Sequence, residues 1–125
     1  MKIPEYINRI IHDKASKYGV SPLLIKAIIA KESGFDPNAI SPTGDLGIMQ
    51  INPKAHPDFD VNKWYDPEYN IDYGVRFLKE LINRYGKHGI EAIISAYNAG
   101  HPTYKNYWSY VVPVLKNLLR FILPF

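Results

Sequence analysis

The sequence predicts a mostly helical α+β domain with one small β element. Three observations point there. Two segments show the i, i+3, i+4 and i+7 spacing of one helical face, one of them apolar throughout and the other with a single glutamate at i+7. Capping residues, prolines and glycines bound most of the helical segments. A short apolar, partly alternating stretch sits between turn-rich flanks, as in a small hairpin.

The elements follow in order. Pro4 to Tyr18 reads as a first helix, with Ile7, Ile10, Ile11 and Ala15 on one side and Gly19 closing it. Ser21 and Pro22 look like an N-cap and a first-turn proline, and Leu23 to Ser33 reads as a second helix. Gly34 fits a helix C′ position and Pro37 blocks continuation. Ser41-Pro42-Thr43-Gly44-Asp45 is a turn, and Leu46 to Pro53 is expected to form a small hairpin or strand beside the helix. Lys54 to Tyr65 reads as loop. Asp66-Pro67-Glu68 starts a helix that should run to Tyr85, before Gly86. Gly89 opens another through about Tyr97, with Ile90, Ile93, Ile94 and Tyr97 on one stripe, so Tyr97 is expected to point inward. Tyr104 to Phe121 reads as a final aromatic-rich helix that Pro113 should kink or break.

A chain of 125 residues has room for one domain, so residues 1–125 are read as a single unit. It has no cysteine, which excludes a disulfide framework and thiolate metal sites. Its four histidines, His12, His56, His88 and His101, show no metal-ligand spacing, so no metal is expected. A net charge of +3 suits an anionic polymer, but the lysines and arginines are dispersed, which argues against nucleic acid. The N-terminus reads as an amphipathic segment with no signal peptide, and no stretch is long enough to span a bilayer. The apolar C-terminal segment from Val111 to Phe125 is expected to close the core. The alternative is contact with a membrane interface or a partner.

Glu32 is the most informative residue. Ile25, Ile28, Ile29 and Glu32 share one helical face, so a carboxyl group falls on an apolar stripe. Apolar surroundings disfavour the charged form, and a raised pKa lets a carboxyl hold its proton near neutral pH as a general acid. An edge-of-face glutamate paired with Lys31 is the plainer reading.

The context of Glu32 is specific. Glu32-Ser33 is followed by a loop with Ser41-Pro42 and then Gly47-Ile48-Met49-Gln50. Asn70-Ile71, Gly74 and Leu78 come later, and Ala96-Tyr97-Asn98-Ala99-Gly100 after them. In order and spacing these resemble the motifs of the lytic transglycosylase domain of the lysozyme superfamily, a group related to goose-type lysozyme. The resemblance covers about Val20 to Gly100. It implies a lysozyme-like fold with the β element beside the catalytic helix. It also implies cleavage of the β-1,4 bond between N-acetylmuramic acid and N-acetylglucosamine in peptidoglycan, forming 1,6-anhydromuramyl ends without a cofactor. Glycan strands are the implied partner, acted on by a monomer at the bacterial wall, whether periplasmic, extracellular or phage-delivered.

The same resemblance assigns Glu32 as acid and then base, with Tyr97 beside it to fix its rotamer. Tyr97 as a plain core residue stays open. Ser41, Gly47, Met49 and Gln50 match the stretch that lines the family's substrate groove. Gly47 permits close approach of backbone or ligand, Met49 would lie against a sugar ring, and Asn98 either assists or caps its helix. Asp45 departs from the common pattern and resembles the second carboxylate of animal lysozymes. It is either a turn aspartate or a substrate-side group that would make the enzyme a hydrolytic muramidase. A non-catalytic wall-binding module is the reading from another class. After Gly100 the resemblance thins. Tyr110-Val111 matches the family's last helix, and Tyr104, Tyr107, Trp108 and Tyr110 are open to either sugar stacking or core packing.

Overall fold

A computed structural model describes residues 2–123. Expectations that touch Met1, Pro124 and Phe125 lie outside the described residues. Five α-helices carry the structure: α1 (Glu5–Tyr18), α2 (Pro22–Glu32), α3 (Pro67–Tyr85), α4 (Ile90–Ala99) and α5 (Val112–Ile122).

Helix α2 is central because its sequence is apolar almost all round. Leu24, Ile25, Ala27, Ile28 and Ile29 are all buried, and α2 lies between α1 and α5. The Ser21 hydroxyl accepts from the Leu24 N–H and Pro22 opens the first turn, as the sequence indicates. Helix α1 buries Ile7, Ile11 and Ala15 and packs against α3. The Asp66 side chain caps α3 by accepting from the Glu68 N–H. On the outer seam of the α1–α3 pair, Asp72 accepts from Tyr18 and Lys17 and pairs with Lys14, which also reaches Glu68.

The structure differs from expectation in two places. No strand forms among the described residues. The Leu46–Pro53 segment makes only isolated antiparallel bridges, Ile40 with Leu46 and Leu46 with Ile51. The reason is local. Gly47 (φ 79°) and Gln50 (φ 55°) both adopt left-handed backbone, so residues 47–50 turn tightly and a ladder cannot extend. The final helical segment, expected from Tyr104 with a kink or break at Pro113, starts later and is interrupted one residue before the α-helix takes up Pro113. Tyr107–Val111 is one π-helical turn, and α5 begins only at Val112. Pro113 has no N–H to donate and sits in the first turn of α5, where none is needed. The wider bonds Val111 N–H to Asn106 O (3.1 Å) and Val112 N–H to Tyr107 O carry the chain into it.

Helix α5 closes the core against α2. Val114 is buried, and Leu115, Leu118 and Phe121 pack on the core, with the Phe121 ring edge-on to Phe35. Leu119, Ile122 and Leu123 remain on the outer face. Among the described residues no helix is long and apolar enough to cross a membrane.

Candidate active site

Glu32 is the last residue of α2, where the helix runs into Ser33, Gly34 and Phe35. Gly34 (φ 62°) and Phe35 (φ 68°) are both left-handed and reverse the chain; Phe35 is held there by burial against Phe121. The Ser33 hydroxyl donates to the Ile48 carbonyl at 2.7 Å, which ties the end of α2 to the 47–50 turn.

Burial dominates the electrostatics of Glu32. It pushes the carboxyl up from its ordinary value of 4.5 to about 7. A hydrogen bond from Tyr110 opposes the rise, the negative charge of Asp45 adds to it, and Lys31 opposes it. At neutral pH the group is therefore poised between its two forms, as an acid that later serves as base requires.

The phenol on Glu32 is that of Tyr110, from the π turn. Its hydroxyl donates to Glu32 Oε2 at 2.7 Å. The sequence reading assigned that place to Tyr97. Tyr97 is buried, as its stripe indicates, but its hydroxyl donates to the Met49 carbonyl at 2.8 Å. Tyr97 therefore fixes the turn that faces Glu32. It remains close enough for the carboxylate to help hold its phenol neutral, although burial is the larger cause; the same holds for Tyr110.

Asp45 is a bonded turn residue. Its carboxylate accepts from Ser41 Oγ (2.7 Å), Thr43 Oγ1 (3.0 Å) and Asn52 Nδ2 (3.0 Å), and its own N–H donates to Ser41 Oγ. Ser41 is correspondingly committed to the loop. Gln50 spends its amide N–H groups on the Ala39 and Gly47 carbonyls, which stabilises its left-handed backbone.

Met49 does not line a groove. Its side chain is fully buried against Gly74 of α3, so closely that a Cβ at Gly74 would lie 2.4 Å from the sulfur. Gly47 admits backbone and side chain rather than ligand, since a Cβ there would meet Asn70 Nδ2 at 2.3 Å and the Trp64 carbonyl at 2.6 Å. Asn98 is exposed near the end of α4 and accepts from Asn106.

Two residues outside the sequence-derived site hold it together. Tyr110 is one. Asn70 is the other: fully buried, it accepts from the Met49 N–H (2.9 Å) and donates to the Leu46 and Trp64 carbonyls (3.0 Å each). The turn is thus clamped by Asn70 from α3, Tyr97 from α4 and Ser33 at the C-terminal cap of α2. Among the described residues no group of three or more histidines, aspartates and glutamates gathers as a metal site would require.

The model of the family described as "Transglycosylase SLT domain" matches residues 9–117. The chain belongs to that family. This SLT domain is 31% identical over 109 residues to the transglycosylase of Enterobacteria phage PRD1, covering 83% of the chain and 40% of the relative. It is 36% identical over 123 residues to the membrane-bound lytic murein transglycosylase C of Pectobacterium atrosepticum, covering 78% of the chain and 34% of the relative. The chain thus spans well under half the length of these curated relatives. Among solved structures, an inactive glutamate-to-glutamine mutant of lytic transglycosylase Slt from Pseudomonas aeruginosa superposes with a TM-score of 0.78 at 20% identity. That match covers 90% of this SLT domain and 23% of the larger chain, and it shows the shared, mostly helical fold.

Proposed function

We propose that this SLT domain cleaves the β-1,4 bond between N-acetylmuramic acid and N-acetylglucosamine in peptidoglycan as a lytic transglycosylase. The observation that carries the proposal is the Glu32 carboxyl, raised to about 7 and held by the Tyr110 hydroxyl beside a clamped turn. Protonated Glu32 gives its proton to the glycosidic oxygen as that bond breaks. The oxocarbenium-like centre is stabilised by the muramyl N-acetyl group. Glu32, now a carboxylate, takes the proton of the muramyl C6 hydroxyl, whose oxygen closes the 1,6-anhydro ring. The nucleophile belongs to the substrate, so proximity replaces a bound water and one carboxyl group suffices.

Tyr110 and Tyr97 are positioning residues in this scheme, the first acting on the Glu32 rotamer and the second on the turn through Met49. Ser41 and Gln50 shape the groove wall, with Gln50 Oε1 available to accept from a sugar, and Asn98 lies at its α4 end. Gly47 and Met49 serve as anchors of the floor. The hydrolytic alternative needs Asp45 to activate water or attack carbon. Its three hydrogen bonds within the loop favour the turn role instead. The domain is taken to act as a monomer at the bacterial wall, with the outer stripe of Leu119, Ile122 and Leu123 available for interfacial contact.

A Glu32→Gln variant tests the proposal in a turbidity assay on purified peptidoglycan. Gln keeps the shape and the bond from Tyr110 but cannot transfer the proton. Clearing should fall by at least about a hundredfold, and unchanged clearing would remove Glu32 from the chemistry.

A further inference from the structure

The π turn has two faces. Tyr110 reaches Glu32 from one, whereas Tyr107 and Val111 line an open cleft of about 860 Å³ from the other. Helix α4 is likewise shared. Tyr97 serves the Glu32 side, and Glu91, Ala92 and Ser95 line the cleft. The two sites therefore share two elements, the π turn and α4.

The cleft's chemistry is specific. Tyr85, Tyr104 and Tyr107 contribute three aromatic side chains, joined by Ile90, Glu91 and His88. Tyr104 is 94% exposed, and the neighbouring Trp108, whose ring packs edge-on to Tyr107, is 79% exposed. Aromatic rings clustered at one exposed cleft offer faces on which a ligand can stack. The Ser95 hydroxyl at the cleft floor is already committed to Thr103 and Asn106. Glu91 enters none of the ion pairs among the described residues, so its carboxylate is available to a ligand. Flat π faces beside a carboxylate suit the C–H face and the hydroxyl donors of a sugar ring.

We propose that this cleft is a second, non-catalytic glycan-binding site, with sugar rings on Tyr104 and Tyr107 and their hydroxyls donating to Glu91. The inference rests on the peptidoglycan reading of the Glu32 site. A polymeric substrate held weakly in the cleft is presented to the nearby groove at raised effective concentration, which aids work on a solid wall more than on short chains.

The test is a titration of the Glu32→Gln protein with a β-1,4-linked N-acetylglucosamine tetramer, followed by amide chemical shifts. The expected result is two sets of shifting resonances, one around Glu32 and the 47–50 turn and one around residues 88–92 and 103–107. Tyr104→Ala and Glu91→Gln should each weaken the second set by roughly tenfold and leave the first unchanged. In the parent background, Tyr104→Ala should slow release from intact peptidoglycan but not cleavage of soluble short chains. Shifts confined to the groove would overturn the second site while leaving the enzymatic reading intact, as would a second set that survives both substitutions. Silence at both sites would overturn the two together.

Discussion

Replacing Glu32 by glutamine should stabilise the fold, and by an amount that depends on pH. The carboxyl titrates at an ordinary value of 4.5 when exposed and at about 7 in the folded protein. Below about pH 4.5 it is protonated in both states and contributes nothing to the pH dependence. Between the two values the folded chain binds the extra proton, so stability declines as pH rises. Above about 7 the folded state bears a buried charge that the unfolded chain carries in water. Each tenfold step corresponds to about 1.4 kcal/mol, which gives at most about 3.5 kcal/mol across the interval; partial solvent access at the site lowers that figure. Glutamine mimics the protonated carboxyl at every pH and still accepts from Tyr110. Urea unfolding of both proteins, followed by tryptophan fluorescence, should give similar midpoints near pH 4.5. The variant should gain about 2–3 kcal/mol near pH 8.5. A stability difference that does not change with pH would mean that Glu32 is solvated like any surface carboxylate.

Other substitutions probe the surrounding clamp. Tyr110→Phe removes a bond that lowers the Glu32 pKa, so the alkaline limb of the pH–rate profile should move above its parent position near pH 7, together with a lower rate; an unmoved limb would detach Tyr110 from the carboxyl. Asp45→Asn removes a charge that raises the same pKa, so the limb should move to lower pH with most of the activity retained. Loss of activity with no limb shift would restore Asp45 to the chemistry. Asn70→Ala strands the buried Met49 N–H and takes a donor from the Trp64 carbonyl, while the Leu46 carbonyl keeps the Ile51 N–H, and should cost about 2–3 kcal/mol in denaturant unfolding. Gly74→Ala should cost about 1–3 kcal/mol despite alanine's better helix propensity, because the methyl group drives into the buried Met49 side chain.

Much of this architecture was legible because local signals and tertiary needs agree. Ser21-Pro22 and Asp66-Pro67 mark helix starts by hydrogen bonding and backbone restriction, and both caps form. Glu32 stood out because a carboxyl on an apolar stripe must be buried or redirected. The same signal lay unread at Asn70, an amide on the stripe with Gly74, Leu78 and Leu81, where the turn's backbone is satisfied. The β element was over-read because glycine announces left-handed backbone at position 47, whereas nothing about glutamine announces it at position 50. That conformation depends on amide bonds to Ala39 and Gly47 that exist only in the folded loop. Tyr110 was hidden as one of four aromatics between positions 104 and 110, because the π turn resets helical phase just before Pro113. Its four-residue spacing to Val114 and Leu118 was the available clue.

Mass spectrometry of the muropeptides released from purified peptidoglycan tests the one-carboxyl mechanism most directly. Products ending in 1,6-anhydromuramic acid, lighter by one water than reducing-end products, are the expected result and follow from Glu32 acting as acid and then base on the substrate's own hydroxyl. Ordinary reducing ends would contradict it, since water would then be the acceptor and a second group would have to activate it.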